Sequence, residues 1–200
     1  MKYPTDLCQL VINNMEILEE APNVIEYVEE KLFAAINERV KERVAALDAW
    51  GGCYELYTGE KNETTFAPSD WPMDDAEWFY AYYTLHYVEA GEDYQWLSNA
   101  IGLNNSSLCL QFMVRREFTG MNAKDYKKRL HDFYSATPAL AETGFLIAKS
   151  GVIFRPFALP AEKVAEEYPD FDEALAPLDA ALEDLFKAHG EFDRFVKKLG

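Results

Sequence analysis

The sequence predicts an α+β fold in a single domain, with helices at both ends and a central, mostly antiparallel sheet. Apolar residues recur every three or four positions over about 7–47 and again over about 161–199, as in amphipathic helices. Strand-like and turn-like stretches fill about 50–117, and apolar runs at 145–158 indicate a hairpin. The 200 residues show neither a repeat nor a linker, which favours one domain.

Two helices are expected at the N-terminal end. Apolar residues from Val24 to Leu47 follow one face of a long helix, and charged residues occupy the opposite face. A shorter helix is predicted over Leu7 to Glu20. We expect it to end near Ala21-Pro22, because the residue before a proline avoids the helical region.

Three strands are expected in the central segment. Cys53–Tyr57 alternates as a strand does, and 107–117 alternates over a longer run. The segment 78–88 is dense in aromatic and β-branched residues, so we interpret it as a strand. A helix is the alternative for 78–88, because Asp74 followed by Glu77 three residues later forms a capping pattern.

Helices return after the sheet. Asn122 can cap a helix over about 123–135. In the C-terminal segment, 161–199, the apolar residues again have helical spacing. Gly190 interrupts this segment, and we expect it to end one helix before another begins.

The hairpin at 145–158 is the clearest local prediction. Two apolar runs are separated by Ser150-Gly151, and two residues of this type between strands indicate a tight antiparallel turn. In that turn Lys149 would face Val152.

Composition narrows the classes of function. There are 35 acidic and 19 basic residues, a formal net charge of -16, which disfavours binding to nucleic acid. No apolar stretch is long enough to span a membrane, and the first residues lack the pattern of a signal peptide. Three widely spaced cysteines suit a reducing compartment, so we expect a cytoplasmic protein without a membrane partner.

No complete catalytic motif is present. The zinc-binding, P-loop, Rossmann and nucleophile-elbow patterns do not occur, so no metal ligand set and no cofactor are predicted. A magnesium-dependent nuclease or phosphoesterase needs only clustered carboxylates and a lysine, and Mg²⁺ enters under this alternative alone. Glu55, Glu60 and Lys61 are its candidate catalytic residues.

A second candidate site would bind an anion. Residues 101–150 hold seven bases and four acids, against the trend of the chain. Four polar side chains lie where a predicted strand ends and a helix begins, and a helix N-terminus attracts anions. These are Arg115, Arg116, Asn122 and Lys124. The alternative is that the bases pair with the protein's own acids.

A third candidate site is the acidic and aromatic segment 55–96. Tryptophan and tyrosine ringed by carboxylates would suit a basic protein partner if the rings are exposed. The protein-binding residues predicted there are Trp71, Asp74, Asp75 and Glu77. If the rings are buried instead, the segment is the middle of the sheet.

The sequence therefore favours a non-catalytic, cytoplasmic interaction module whose acidic surface engages a basic protein, as an inhibitor, immunity protein or nucleic-acid mimic does. The magnesium-dependent nuclease or phosphoesterase is the alternative. A homo-oligomer that buries its aromatic surface is a further hypothesis.

Overall fold

The structure is a computed structural model that describes residues 3–74, 79–88 and 96–199. It confirms the α+β fold. Six antiparallel strands form one sheet in the order β1-β2-β3-β4-β6-β5. The strands are β1 (Trp50–Tyr54), β2 (Thr64–Pro68), β3 (Ala81–Val88), β4 (Ser107–Val114), β5 (Leu146–Ile147) and β6 (Ile153–Phe157). The helices are α1 (Thr5–Asn13), α2 (Met15–Ala45), α3 (Trp96–Ala100), α4 (Arg116–Thr119), α5 (Ala123–Ala136), α6 (Pro138–Glu142), α7 (Ala161–Glu167) and α8 (Ala176–Val196).

One face of the sheet is covered by the two long helices, and we call it the inner face. On α8, Phe192 contacts Tyr83 of β3 and Phe112 of β4, with ring centroids 5.7 and 4.5 Å apart. The α2 helix lies beside α8, and Arg39 Nη1 is 2.6 Å from Asp179 Oδ2. Alternate residues of β3 and β4 therefore point into the core, as expected for a sheet with one packed face.

Apolar stripes on α2 and α8 supply much of the core. The C-terminal half of α2 contributes its buried apolar side chains, and α8 buries residues along most of its length. The members of the core on the two helices include Leu32, Ile36, Val40, Val44, Leu178, Leu182, Leu185 and Phe192. Apolar spacing on the two helices thus predicted their packed faces.

The central strands were predicted in part. The strand in 78–88 is confirmed as β3, so the helical alternative is wrong, and Trp78 lies outside the described residues. The 107–117 strand is confirmed as β4, although α4 begins at Arg116. The 53–57 strand is displaced toward the N-terminus, to 50–54. The β2 strand was not predicted.

The predicted helix end at Pro22 is wrong. The helix is interrupted instead at Asn14, between α1 and α2, and α2 continues through Pro22. Proline removes one helical hydrogen bond and crowds the carbonyl one turn earlier, which is Leu18. Because Pro22 is exposed, water can satisfy that carbonyl.

The hairpin at 145–158 is present, but its predicted register is wrong by one residue. Ala148 N donates to Val152 O at 2.8 Å, so the loop between them has three residues, 149–151, and Lys149 does not face Val152. Gly151 ends this loop with φ +100°. Three-residue hairpin loops commonly end in a residue of positive φ, which glycine adopts without strain.

Gly190 does not end a helix, which corrects a further prediction. It lies within α8, whose buried residues continue on both sides, from Leu185 and Ala188 to Phe192 and Phe195. Packing of this face outweighs the roughly 1 kcal/mol that glycine costs inside a helix. Within the described ranges, no helix is both long enough and apolar enough to cross a membrane.

Candidate functional site

The candidate catalytic residues lie in the connection between β1 and β2. Glu55 Oε2 accepts a hydrogen bond from the Lys61 backbone nitrogen at 3.3 Å, so this carboxylate stabilises the turn. Glu60 is exposed at its tip. Among the described residues, no three histidine, cysteine or acidic side chains converge in a way that could hold a metal ion. The geometry thus gives the nuclease alternative no support.

The candidate anion site is largely engaged by the protein's own groups. Arg115 Nη1 is 3.1 Å from Asp74 Oδ2. The Asn122 side chain accepts from Lys124 N and Asp125 N, both at 3.0 Å, and thus caps α5 as predicted. Arg116 is exposed on α4. At Arg115 and Asn122 the structure therefore shows internal pairing and helix capping.

The candidate protein-binding residues do not form an exposed aromatic surface. Trp71 is 2% exposed, and its Nε1 donates to Asp193 Oδ1 at 3.1 Å. Its ring is therefore part of the core and cannot anchor a partner. Asp74 pairs with Arg115, while Asp75 and Glu77 lie outside the described residues.

A different surface carries most of the exposed apolar area. None of residues 3–28, which comprise α1 and the first half of α2, is buried, and we call this segment the N-terminal arm. Of the fourteen large apolar side chains exposed in the described part of the chain, ten lie here. They are Tyr3, Leu7, Leu10, Val11, Ile12, Met15, Ile17, Leu18, Val24 and Tyr27. Concentrations of this kind mark interaction sites.

The apolar stripe of the arm continues the stripe that packs the core. On α2, Leu18, Ala21, Ile25 and Val28 precede the buried Leu32 at steps of three or four residues. A single helix keeps such positions on one side. This side of α2 is therefore buried at its C-terminal end but only partly covered in the arm, where Ala21, Ile25 and Val28 are half-buried and Leu18 is exposed.

The comparisons with known proteins add nothing to this geometry. The chain matches no protein family, no curated protein and no solved structure.

The arm also differs from the rest of the chain in charge, because its charged residues are all acidic. Residues 3–28 hold five acids and no base: Asp6, Glu16, Glu19, Glu20 and Glu26. The four glutamates lie on α2, away from the apolar stripe. An amphipathic helix with one apolar and one acidic side suits a partner with apolar and basic side chains.

The helical period of this segment was predicted, but its role as a site was not. The spacing of Leu7, Leu18 and Ile25 is the same whether a helix face is buried or exposed. Two signals could have pointed to the arm, namely the absence of any base between Lys2 and Lys31 and the unbroken apolar stripe across Pro22.

Proposed function

We propose that this protein is a non-catalytic interaction module that binds a basic, amphipathic helical segment of another protein through its N-terminal arm. The observation that carries the proposal is the set of ten large apolar side chains exposed in residues 3–28, together with five acids and no base in the same segment. Burial of the apolar side chains supplies the affinity. The acidic side supplies orientation and a faster encounter.

A basic partner fits the arm better than a second copy of the chain does. Two arms packed together would bring like charges close to each other, and a net charge of -16 on each chain opposes their approach. A basic helix would cover the apolar stripe and neutralise its acidic border. A protein of the inhibitor, immunity or nucleic-acid-mimic type engages a basic partner of this kind, and the cytoplasmic location proposed with this function agrees with three free cysteines.

The direct test uses a synthetic peptide in which leucine and lysine alternate at helical spacing. Fluorescence anisotropy should show binding with a dissociation constant on the order of micromolar. The affinity should fall about tenfold as salt is raised from about 0.05 to about 0.5 M, because salt screens the attraction between the basic peptide and the acidic arm. A peptide with glutamate in place of each lysine should bind at least about tenfold more weakly.

Matched variants locate the binding surface. The double substitution Ile17→Ser and Leu18→Ser should weaken the peptide at least about tenfold, since both side chains lie exposed in the arm. The control is Leu103→Ser with Leu146→Ser, which removes two equally large apolar side chains exposed elsewhere. Equal binding by both double variants, or equal affinity for the two peptides, would overturn the proposal.

Light scattering tests whether a second copy of the chain, instead of a basic partner, covers the arm. If the wild-type protein is a dimer and the Ile17→Ser/Leu18→Ser variant is a monomer, a second copy covers the arm and the proposed function is wrong. A monomer in both cases agrees with the proposal.

A further inference from the structure

We propose that a cleft between the outer face of the sheet, the face turned away from α2 and α8, and Trp96 of α3 binds a small ligand through a positively charged amine or guanidinium group. Thr65 of β2 lies opposite Thr84 of β3, and Tyr82 lies opposite Met113 of β4. Together with Glu63 they line a cleft of about 250 Å³. Sites for drug-sized molecules hold roughly 300–1,000 Å³, so this cleft suits a smaller ligand.

An unsatisfied carboxylate oxygen indicates the charge of the ligand. Glu63 Oε1 is inaccessible to solvent and receives no hydrogen bond from any described residue. Buried polar atoms nearly always have a partner, and leaving one without a partner is costly. A carboxylate can only accept hydrogen bonds. Because Oε1 is covered, the Glu63 side chain must turn for this atom to face the cleft, and there a ligand with a positively charged N–H donor would supply the missing hydrogen bond.

Arg115, a basic side chain that lines the same area, does not meet this need. A small adjoining cleft of about 40 Å³ shares Glu63, Thr65 and Tyr82 with the larger one and reaches Arg115. Arg115 is held by Asp74 at 3.1 Å. The Glu63 oxygen is thus left for a donor from outside the described chain.

Aromatic side chains complete a site for a cation. Tyr82 and Trp96 line the larger cleft, and Phe79 lines the smaller one. The ring of Trp96 is fixed by contacts with Phe33 and Tyr87, at centroid distances of 5.4 and 5.0 Å. Ring faces attract ammonium and guanidinium groups, and more strongly where water is excluded. The site therefore combines one acceptor with aromatic walls.

This inference is independent of the N-terminal arm, because none of the residues lining the cleft belongs to it. The probe is phenethylamine, which carries one ammonium group and one ring, added to the full-length ¹⁵N-labelled protein. We expect saturable shifts of the Thr65, Tyr82 and Thr84 amide resonances, with a dissociation constant on the order of 1 mM. The isosteric neutral compound 2-phenylethanol should bind at least about tenfold more weakly.

Two variants assign the effect to the carboxylate. Glu63→Gln keeps the shape of the side chain and should weaken phenethylamine at least about tenfold. Glu60→Gln removes the same charge from an exposed position in the same connection and should leave the affinity unchanged. The proposal is overturned if the amine and the alcohol bind equally, if Glu63→Gln binds as the wild type does, or if no saturable shift appears up to about 50 mM.

Discussion

The hydroxyl of Tyr83 lies 2.9 Å from Nδ1 of His189 and thereby joins the centre of the sheet to α8. Tyr83 is fully buried, and burial together with Asp193 raises the pKa of its hydroxyl well above 10. Tyr83 therefore keeps its proton and donates a hydrogen bond to Nδ1 of neutral His189 in the tautomer that carries its hydrogen on Nε2. A protonated His189 would carry hydrogen on both ring nitrogens and could not accept this bond.

The pair makes stability depend on pH. Burial lowers the pKa of His189 below 6.5 in the folded protein, against the opposing effects of Asp193 and Asp70. The unfolded chain keeps a value of about 6.5 and binds more protons in the interval between the two pKa values. The free energy of unfolding should therefore fall as the pH falls from about 6.5 to the folded pKa, and level off below it.

Urea unfolding at a series of pH values between about 5 and 8 measures this loss. The His189→Gln variant provides the control, because it cannot titrate. Its stability should change less over the same interval. The same slope in both proteins would show that other groups cause the pH dependence.

Removing the hydroxyl tests the same contact without changing pH. Tyr83→Phe should lower the free energy of unfolding by about 1–2 kcal/mol at neutral pH, because Nδ1 of His189 loses its donor in a half-buried position. Tyr27→Phe removes an equivalent hydroxyl from the exposed arm and should change stability by less than about 0.5 kcal/mol. Equal effects in chemical denaturation would contradict the assigned hydrogen bond.

Local pattern predicted the elements that are long and periodic. The β4 strand and the α5 helix were found because apolar alternation and the Asn122 cap each act within a few residues. The β2 strand was missed. Its Thr64, Thr65 and Phe66 favour a strand, but the run has only five residues and ends in Pro68, so its signal is short.

The candidate sites depended on tertiary contacts that pattern does not contain. The composition around Trp71 is the same whether the ring is exposed or buried, and its partner Asp193 is 122 residues away in sequence. In the sequence nothing distinguishes Glu63 from the other acidic residues, because its buried oxygen and the cleft beside it depend on the fold. The arm is identified by the absence of a covering layer, which depends on how the remaining chain folds.

Gly190 offers a way to stabilise the protein. It lies in α8 with open space where a Cβ would stand, so Gly190→Ala should raise the free energy of unfolding by about 0.5–1 kcal/mol. Gly144→Ala is the matched change in the opposite direction. Its φ is +78° and the new Cβ would lie 2.7 Å from Arg155 Nε, so this variant should be destabilised. Thermal unfolding of the two proteins should give shifts of opposite sign.

The arm should contribute little to the stability of the body. Ile17 is 67% exposed and Ile36 is fully buried, although both lie on α2. Ile17→Ala should therefore change the free energy of unfolding by less than about 0.5 kcal/mol, whereas Ile36→Ala should cost about 2–5 kcal/mol. Urea titrations can compare them directly. A large cost at Ile17 would show that the arm packs against the body.

Glu29 fixes the point at which the arm leaves the body. It is 5% exposed, and its Oε1 accepts from the Leu97 backbone nitrogen at 2.6 Å, which ties α2 to α3. Tyr57 also hydrogen-bonds to Glu29, and burial followed by this contact raises the pKa of Tyr57 to about 12.

Truncating Glu29 would leave the Leu97 N–H without its acceptor. Glu29→Ala should therefore cost about 1–3 kcal/mol and speed hydrogen exchange at Leu97. The neighbouring Glu30 is exposed, so Glu30→Ala removes the same charge without this loss and should change stability by less than about 0.5 kcal/mol. Because the two variants alter net charge equally, any difference between them in unfolding or in exchange at Leu97 comes from the buried contact. Equal behaviour would show that α3 is held by other interactions.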